Sequence, residues 1–293
     1  MTVLNSSAPG VHVRASMGKT RKRKTPLTAS VNTSTSSSKP ESSRKVIRQY
    51  HVLLKQQAQL EALPKRDAKT TQTLEDIKRQ LDELGGLEFY QRMSAIGQGH
   101  DRGGGSEKVA ISFLKEAYRD NSEGPSKPLL NLLEVGALKP DNYDSCRSWM
   151  KTTPLDLHSR HPSILEQDFL LMDEAENQEK WDVVSLSLVL NFVSDAKDRG
   201  RMLRLAWNFL VPGGHLFLVL PLPCVVNSRY LTCERLTALM EAVGFFQIKE
   251  RWKPGGKMIY SFYQKRMTPG FSEPFTKKTV LLQGDRNNFC ILL

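Results

Sequence analysis

Beyond residue 129 the chain alternates short apolar runs with longer amphipathic segments, at the spacing of an α/β domain. LLNLLEV, at residues 129–135, is a nearly continuous apolar run of the kind that forms a buried parallel strand. Strands are predicted near residues 129–134, 151–156, 168–171, 181–187 and 214–220, and helices across residues 195–210 and 230–243.

Two more strands are predicted after Gly244, in FFQIKERWK and KMIYSFYQK, and Pro254-Gly255-Gly256 joins them. This connection is too short for a parallel crossover, so it predicts an antiparallel hairpin at the end of a mostly parallel sheet. The last stretch, TVLLQGDRNNFCILL, is interpreted as two apolar strand segments rather than as a prenylation signal at Cys290.

The pattern before the sheet is helical. Two apolar stripes at helical spacing, separated by Pro64, predict two amphipathic helices. The stripes are Val46, Tyr50, Leu53, Leu54 and Leu60, and then Leu74, Ile77, Leu81 and Leu84. Basic and acidic residues are mixed on the polar faces, so a polyanion-binding surface and an ordinary solvated face both remain open.

A glycine-rich segment, GQGHDRGGGSEK at residues 97–108, follows these helices. It lacks the Gly-Lys-Ser/Thr ending of a Walker loop. Arg102 could hold a carboxylate or phosphate in bidentate fashion, and Ser106 is predicted to cap the next helix. The alternative interpretation of the segment is a flexible hinge.

The net charge of +11 is concentrated near the N-terminus, where residues 1–50 hold ten lysines and arginines and one acid. KTRKRK, at residues 19–24, precedes a serine- and threonine-rich stretch without an apolar face. The predicted organisation is a disordered basic tail over residues 1–42, a helical and glycine-rich region over residues 43–104, and an α/β domain over residues 105–293. The tail can be an import signal, a nucleic-acid anchor or a solubilising extension.

Other compositional features narrow the class of protein. No run of ~18 uncharged apolar residues predicts a transmembrane helix, and the four cysteines have neither C-x-x-C spacing nor a His-rich partner segment. We expect a soluble intracellular protein with free thiols, without a metal or a membrane partner.

The turn after the first predicted strand holds one glycine, Gly136, where a dinucleotide-binding fold has G-x-G-x-x-G. A ligand without a pyrophosphate needs the backbone of this turn to approach it closely at only one residue. Among common doubly wound folds, the antiparallel ending is the one used by class I S-adenosylmethionine-dependent methyltransferases, whose cofactor has no pyrophosphate. Gly136 is thus a candidate contact for its methionine and ribose portion, and Glu134 for its amino group.

Acids also end the next two predicted strands. Asp156 lies 20 residues after Gly136, the spacing at which Rossmann-like folds bind ribose hydroxyls. Asp168-Phe169 ends the third predicted strand, where a carboxylate can accept the adenine amino hydrogens and a ring can line the base pocket. Three carboxylates at three strand ends favour a cofactor site over unrelated capping acids.

Seven motifs, in order along the chain, resemble the fungal nucleolar 25S rRNA adenine-N(1)-methyltransferases: GLEFYQRMSAIGQGHDRGGGS, LLEVGAL, LDLHS, ILEQDFL, WDVVSLSLVLNFV, RGRMLRLAWNFLVPGGHLFLVLPLPC and NSRYLT. The family resemblance extends to the animal S-adenosylmethionine sensor of the TOR pathway. It implies a class I Rossmann-like fold with a mostly parallel seven-stranded sheet and S-adenosylmethionine as cofactor. It further implies large-subunit rRNA and pre-ribosomal assembly factors as partners, and a nuclear, nucleolar location. It puts cofactor binding on Gly136 and Asp156, and further on Asp168, Phe169, Ser187 and Arg102.

Adenine N1 is neutral and carries a lone pair, so its methylation needs orientation rather than an obligatory base. N1 lies on the Watson–Crick edge, so the target must be unpaired or flipped out. Asn191 and Phe192, after the fourth predicted strand, are the candidate catalytic residues, with a helix-entry residue and a core aromatic as the alternative. LNFV is not the N-P-P-[YF] motif of exocyclic amino methylation.

A second chemistry and a second function class are weighed against this one. Cys224 and Cys233 are similar to the cysteines of RNA cytosine-5 methyltransferases, but Asn-Phe follows the fourth strand where those enzymes have a cysteine. The favoured function is methylation of adenine N1 in large-subunit rRNA. The alternative is a regulatory module that binds S-adenosylmethionine without catalysis.

Overall fold

A seven-stranded sheet with the strand order β3-β2-β1-β4-β5-β7-β6 organises the chain after residue 129. The strands are β1 Leu130–Val135, β2 Met150–Asp156, β3 Leu165–Glu166, β4 Trp181–Ser187, β5 Leu210–Pro221, β6 Phe245–Arg251 and β7 Met258–Lys265. The first five are parallel, and β7 is antiparallel to both β5 and β6. This topology confirms the predicted class I methyltransferase fold and its terminal hairpin.

The structure is a computed structural model, and it describes residues 40–61, 63–65, 67–97, 105–118, 129–159, 161–266 and 273–293. At residues 40–45, 47, 48, 51, 55, 90 and 93–97 it describes the backbone alone. The predicted disordered tail lies outside the described residues, except that residues 40–42 are helical rather than disordered.

The third strand was predicted wrongly. β3 lies earlier than residues 168–171, and Phe169–Leu171 is a 3-10 helix. The physical reason is local, because the Asp168 carboxylate accepts a hydrogen bond from the Leu170 amide at 2.8 Å and caps that helix. Such side-chain-to-backbone bonds compete with strand formation.

Eight helices occur in the described ranges: α1 Pro40–Glu61, α2 Ala68–Glu83, α3 Gly86–Gly97, α4 Glu107–Ala117, α5 Glu174–Asn177, α6 Ala196–Phe209, α7 Pro223–Val226 and α8 Cys233–Val243. Three of them, rather than the two predicted, precede the glycine-rich segment. The second predicted stripe ends at Leu84, and the additional helix, α3, begins two residues later at Gly86. None of the described helices combines the length and the apolar character that a membrane crossing requires.

The core forms two apolar layers because successive strand residues point to opposite faces of the sheet. Leu133 and Val184 belong to the layer that α6 and α8 cover, and Leu132 and Val183 belong to the layer that α4 covers with Phe113. The side chains of α1 and α2 form a separate apolar cluster, the N-terminal cluster, made of Tyr50, Leu53, Ile77 and Leu81. The sheet domain therefore does not depend on this cluster for its core.

The C-terminal segment, residues 288–293, is not the strand that the sequence predicted. Its carbonyl groups bond to side chains instead of a neighbouring strand: buried Arg199 donates to the Cys290 carbonyl, and Ser228 Oγ donates to the Phe289 carbonyl at 2.6 Å. Cys290 is only 3% exposed. The segment thus completes the core beside α6, which removes the Cys290 thiol from solvent.

Candidate active site

The carboxyl ends of β1, β2 and β4 lie side by side at one edge of the sheet. The register of the three strands puts Gly136 level with Asp156 on one side and with Ser187 on the other. The strand order changes direction between β1 and β4, and open α/β sheets bind their ligands at such a switch point. The structure therefore brings three of the predicted cofactor residues together.

Gly136 follows β1 in a backbone conformation that only glycine adopts readily, with φ of +77°. A Cβ atom at this position would lie 2.8 Å from Val189 Cγ2, so there is no room for a side chain. Leu188, which lies between β4 and Val189, also has a positive φ of +59°. Such strain in a non-glycine residue is concentrated at ligand sites, and the sequence contained no signal for it.

Glu134 is buried at the end of β1, with 8% of its surface exposed. Its Oε1 accepts a hydrogen bond of 2.6 Å from Asn142 Nδ2, whereas Oε2 is buried and has no hydrogen-bond partner among the described residues. Burial raises the pKa of Glu134 to about 7; the bond from Asn142 opposes this shift, and the charges of Glu107 and Asp141 add to it. A buried acceptor without a donor is suited to a cationic ligand group.

Asp156 ends β2 and is half-buried. Its Oδ1 accepts from the His158 amide at 2.9 Å, and burial raises its pKa while that bond lowers it. Gln91 of α3 covers this strand end, because its Nε2 lies 2.9 Å from the His158 carbonyl and 3.5 Å from Asp156 Oδ1. Sequence reasoning missed Gln91 as a site residue, although it lies in the GLEFYQRMSAIG motif that carried the family resemblance.

Asp168 and Phe169 lie near the end of β3 but differ from the prediction. One oxygen of Asp168 caps the 3-10 helix, and the second oxygen is the one left for a ligand. Phe169 is 3% exposed, and its ring packs edge-on against Phe209 at a centroid distance of 5.6 Å. The Phe169 ring therefore lies in the core, and it would have to leave the core to offer a face to a base.

Ser187 ends β4, and its Oγ lies 2.5 Å from Ser106 Oγ. Ser106 is the N-cap residue of α4, as predicted, but its side chain makes no cap hydrogen bond and its hydroxyl is engaged with Ser187 instead. This pair links the start of α4 to the strand end beside Gly136. Arg102, predicted to contact the cofactor, lies outside the described residues.

Asn191 and Phe192 follow β4, as predicted, and have different surroundings. Asn191 is 9% exposed, and its Oδ1 is buried without a hydrogen-bond partner in the described part of the chain. Phe192 packs against the N-terminal cluster. The turn after β4 therefore joins the sheet domain to the N-terminal helices and carries an unmatched acceptor at the switch point.

A family model described as 25S rRNA (adenine(2142)-N(1))-methyltransferase, Bmt2, matches residues 75–291, which is most of the chain. The chain belongs to the Bmt2 family. The match begins within α2, so it includes α3 and Gln91 together with the whole sheet.

Two relatives bear out this Bmt2 membership. The 25S rRNA (adenine(2142)-N(1))-methyltransferase of Saccharomyces cerevisiae is 34% identical over 220 residues, covering 74% of this chain and 63% of the yeast protein. The 25S rRNA adenine-N(1) methyltransferase of Schizosaccharomyces pombe is 33% identical over 256 residues, covering 85% of this chain and 91% of that protein. The chain thus spans less than two thirds of the S. cerevisiae protein.

Solved structures resemble the sheet domain more distantly. The CurJ carbon methyltransferase has a TM-score of 0.47 at 14% identity, covering 78% of this chain and 71% of its own. The 1,6-didemethyltoxoflavin-N1-methyltransferase of Burkholderia thailandensis has a TM-score of 0.43 at 14% identity, covering 55% and 79% of the two chains. The fold assignment rests on the strand order and not on these similarities.

In the described part of the chain, the remaining metal-ligating and thiol side chains do not form a second centre. Within the described ranges, no group of three or more His, Cys, Asp and Glu side chains is placed to hold a metal ion. None of the four cysteines, all of which lie in the described ranges, forms a disulfide. Burial raises the pKa of the Cys233 thiol, and Glu250 and Glu234 add to that shift, so Cys233 has the opposite of the lowered pKa that activates a nucleophilic cysteine.

Proposed function

We propose that this chain transfers a methyl group from S-adenosylmethionine to N1 of an adenosine in large-subunit rRNA. The observation that carries the proposal is the convergence of Gly136, Asp156 and Ser187 at one level of three adjacent parallel strands. Membership of the Bmt2 family and the substrate named for both relatives support the reaction and the nucleic acid.

The residues at these strand ends fit S-adenosylmethionine. The unmatched Glu134 Oε2 is suited to the amino group of the methionine portion, and Gly136 leaves backbone space beside it. Asp156 is placed to accept hydrogens from the ribose hydroxyls, and the second oxygen of Asp168 to accept from the adenine amino group. When bound, the cofactor supplies an electrophilic methyl group on a sulfonium.

Asn191 is the residue that we assign to the target adenine. Its buried Oδ1 needs a donor, and the exocyclic amino group of adenine is one. A bond to that group would orient the base so that the neighbouring N1 lone pair faces the methyl group. Orientation is the main requirement, because neutral N1 has no proton to lose.

The cellular setting is a further part of the proposal. KTRKRK in the N-terminal segment has the composition of a nuclear import signal or a nucleic-acid anchor. It supports a nuclear, nucleolar location, where large-subunit rRNA would be presented together with pre-ribosomal assembly factors. Imaging of the tagged full chain and of a variant without KTRKRK tests the location.

Transfer of a tritiated methyl group from S-adenosylmethionine to unmodified large-subunit rRNA tests the reaction. We expect label at N1 of one adenosine with the full chain, and loss of transfer with retained cofactor affinity in Asn191→Ala. The matched control is Asn208→Ala. Asn208 lies near the C-terminal end of α6, whereas Asn191 precedes the N-terminal end of that helix, so this variant should transfer the methyl group normally. Cofactor binding without label in any rRNA would instead assign the chain to the non-catalytic regulatory class.

A further inference from the structure

The turn between β6 and β7, residues 251–257 (RWKPGGK), lies at the same edge of the sheet as the candidate active site. β7 is antiparallel to both β5 and β6, so β6 ends at the edge where the parallel strands end. The turn is also anchored there, since Met258 pairs with Pro221 and the Leu222 amide donates to the Lys257 carbonyl at 2.8 Å. We call residues 251–257 the basic turn.

The basic turn combines an exposed aromatic ring with unpaired cations. Trp252 is 41% exposed, and its Nε1 donates to Glu250 Oε1 at 2.7 Å, which holds the indole by one edge. Arg251, Lys253 and Lys257 are exposed, and none of them forms an ion pair within the described part of the chain. The turn thus presents three cations around one ring.

Lys249, in the strand before the basic turn, is a cation whose contacts contribute to the fold. Lys249 of β6 pairs with Glu116 of α4, and its Nζ lies 5.1 Å from the centroid of Phe113. The cations of the basic turn have no such role in the fold. Their positions therefore leave them available to a polyanion.

We propose that the basic turn binds a single-stranded segment of the RNA substrate beside the target nucleotide, with Trp252 stacking on a base and Arg251, Lys253 and Lys257 contacting phosphates. The inference rests on the proposed function, which requires an unpaired adenosine and therefore exposes its neighbours. Aromatic stacking between phosphate-binding cations is the usual way in which proteins hold single-stranded nucleic acid. An acidic protein surface would match the cations but would leave the ring without a stacking partner.

Binding of an unmodified large-subunit rRNA transcript, measured at several salt concentrations without turnover, tests the inference. We expect Lys253→Ala/Lys257→Ala to weaken binding at low salt and to reduce the slope of log K against log salt by up to about 1.4, or about 0.7 for each lost contact. Trp252→Ala should weaken binding by about tenfold to a hundredfold at every salt concentration, and Trp252→Phe should retain most of the affinity.

The matched control removes two lysines at the opposite edge. Lys115 lies in the last turn of α4 and Lys151 near the start of β2, and both are exposed. Lys115→Ala/Lys151→Ala should change neither the affinity nor the slope. Cofactor affinity, measured for every variant, should stay at the wild-type value and reports an intact fold.

The outcomes separate the inference from the proposed function. A chain that binds RNA through the basic turn but transfers no methyl group contradicts the proposed function and supports the inference. Equal RNA affinity and slope in wild type and turn variants overturn the inference, even if rRNA is methylated. A wild-type chain that binds no RNA overturns both.

Discussion

The ends of β1 and β2 are neighbours in the sheet, yet they are built in different ways. Glu134 at the end of β1 is buried, and its hydrogen-bond partner Asn142 comes only eight residues later. Asp156 at the end of β2 is half-buried, and Gln91, which covers it, lies 65 residues earlier on α3. One half of the candidate site is therefore local to the sheet domain, and the other half depends on where the N-terminal helices dock.

The two strand ends therefore differ in what a substitution would disturb. At the β1 end, a positive-φ glycine and the Val189 side chain against it leave no room for a side chain at residue 136. The β2 end is a carboxylate whose environment is completed from another part of the chain. A side chain at Gly136 should abolish cofactor binding, whereas changes at the β2 end should reduce it in steps.

The largest effect is expected from Gly136→Arg. A side chain here meets Val189 and strains a φ of +77°, so we expect cofactor binding to disappear while the protein stays folded. Gly284→Arg is the control, because Gly284 also has a positive φ, +96°, but has open space around it. Calorimetry and thermal unfolding check both variants, and retained affinity in folded Gly136→Arg would refute the assignment of the turn.

Asp156→Ala should have the next largest effect. It removes the charged acceptor that we assign to the ribose hydroxyls, a loss of about 1.5–3 kcal/mol, or roughly tenfold to a hundredfold in cofactor affinity. Asp168→Asn should cost less, since one acceptor oxygen remains. If calorimetry ranks the two losses in the opposite order, the roles of the two strand ends are exchanged.

The buried carboxyl of the β1 end should make cofactor binding pH-dependent. The pKa of Glu134 is about 7 in the folded protein, above its ordinary value of 4.5, so the free protein binds more protons than the unfolded chain between those values. Its stability therefore falls as pH rises through this window. A cationic ligand group favours the carboxylate, so cofactor affinity should rise by roughly tenfold from pH 6 to pH 7.5 and then level off.

Glu134→Gln is the control for this pH dependence. It keeps the hydrogen-bonding shape but cannot ionise, so its cofactor affinity should be lower and nearly independent of pH over the same window. Calorimetry in buffers with different ionisation enthalpies should show proton release on binding to wild type. An equal pH dependence in Glu134→Gln would assign the titration to another group.

The smallest effect is expected from Gln91→Ala. Loss of its hydrogen bonds to the β2 turn should reduce cofactor affinity by about twofold to tenfold, because Asp156 is held less firmly. Gln57→Ala, which removes only a bond to Glu61 within α1, should leave affinity unchanged.

A cofactor analogue without ribose hydroxyls distinguishes positioning from general stability. If Gln91 acts by orienting Asp156, the difference between wild type and Gln91→Ala should vanish with this analogue. A loss of the same size with both ligands would mean that Gln91 only supports the docking of α3.

Patterns along the chain were sufficient for every strand except β3, and they marked the glycine turn that follows β1. β1, β2, β4 and the terminal hairpin lie where the apolar runs and the Pro-Gly-Gly turn predicted them. The single Gly136 was informative because its role depends on its own φ and on the strand before it. These features are local, so neighbouring residues carry the necessary information.

One local competition and several tertiary contacts decided the rest. Whether Asp168 ends a strand or caps a 3-10 helix depends on a competition that apolar periodicity does not register. The C-terminal segment is apolar like a strand, but it packs beside α6 because Arg199 and Ser228 satisfy its carbonyl groups. Gln91 reaches Asp156 only when α3 docks across the β2 end. Contacts between residues far apart in the chain leave no periodic trace in either partner, and for that reason they emerged only with the fold.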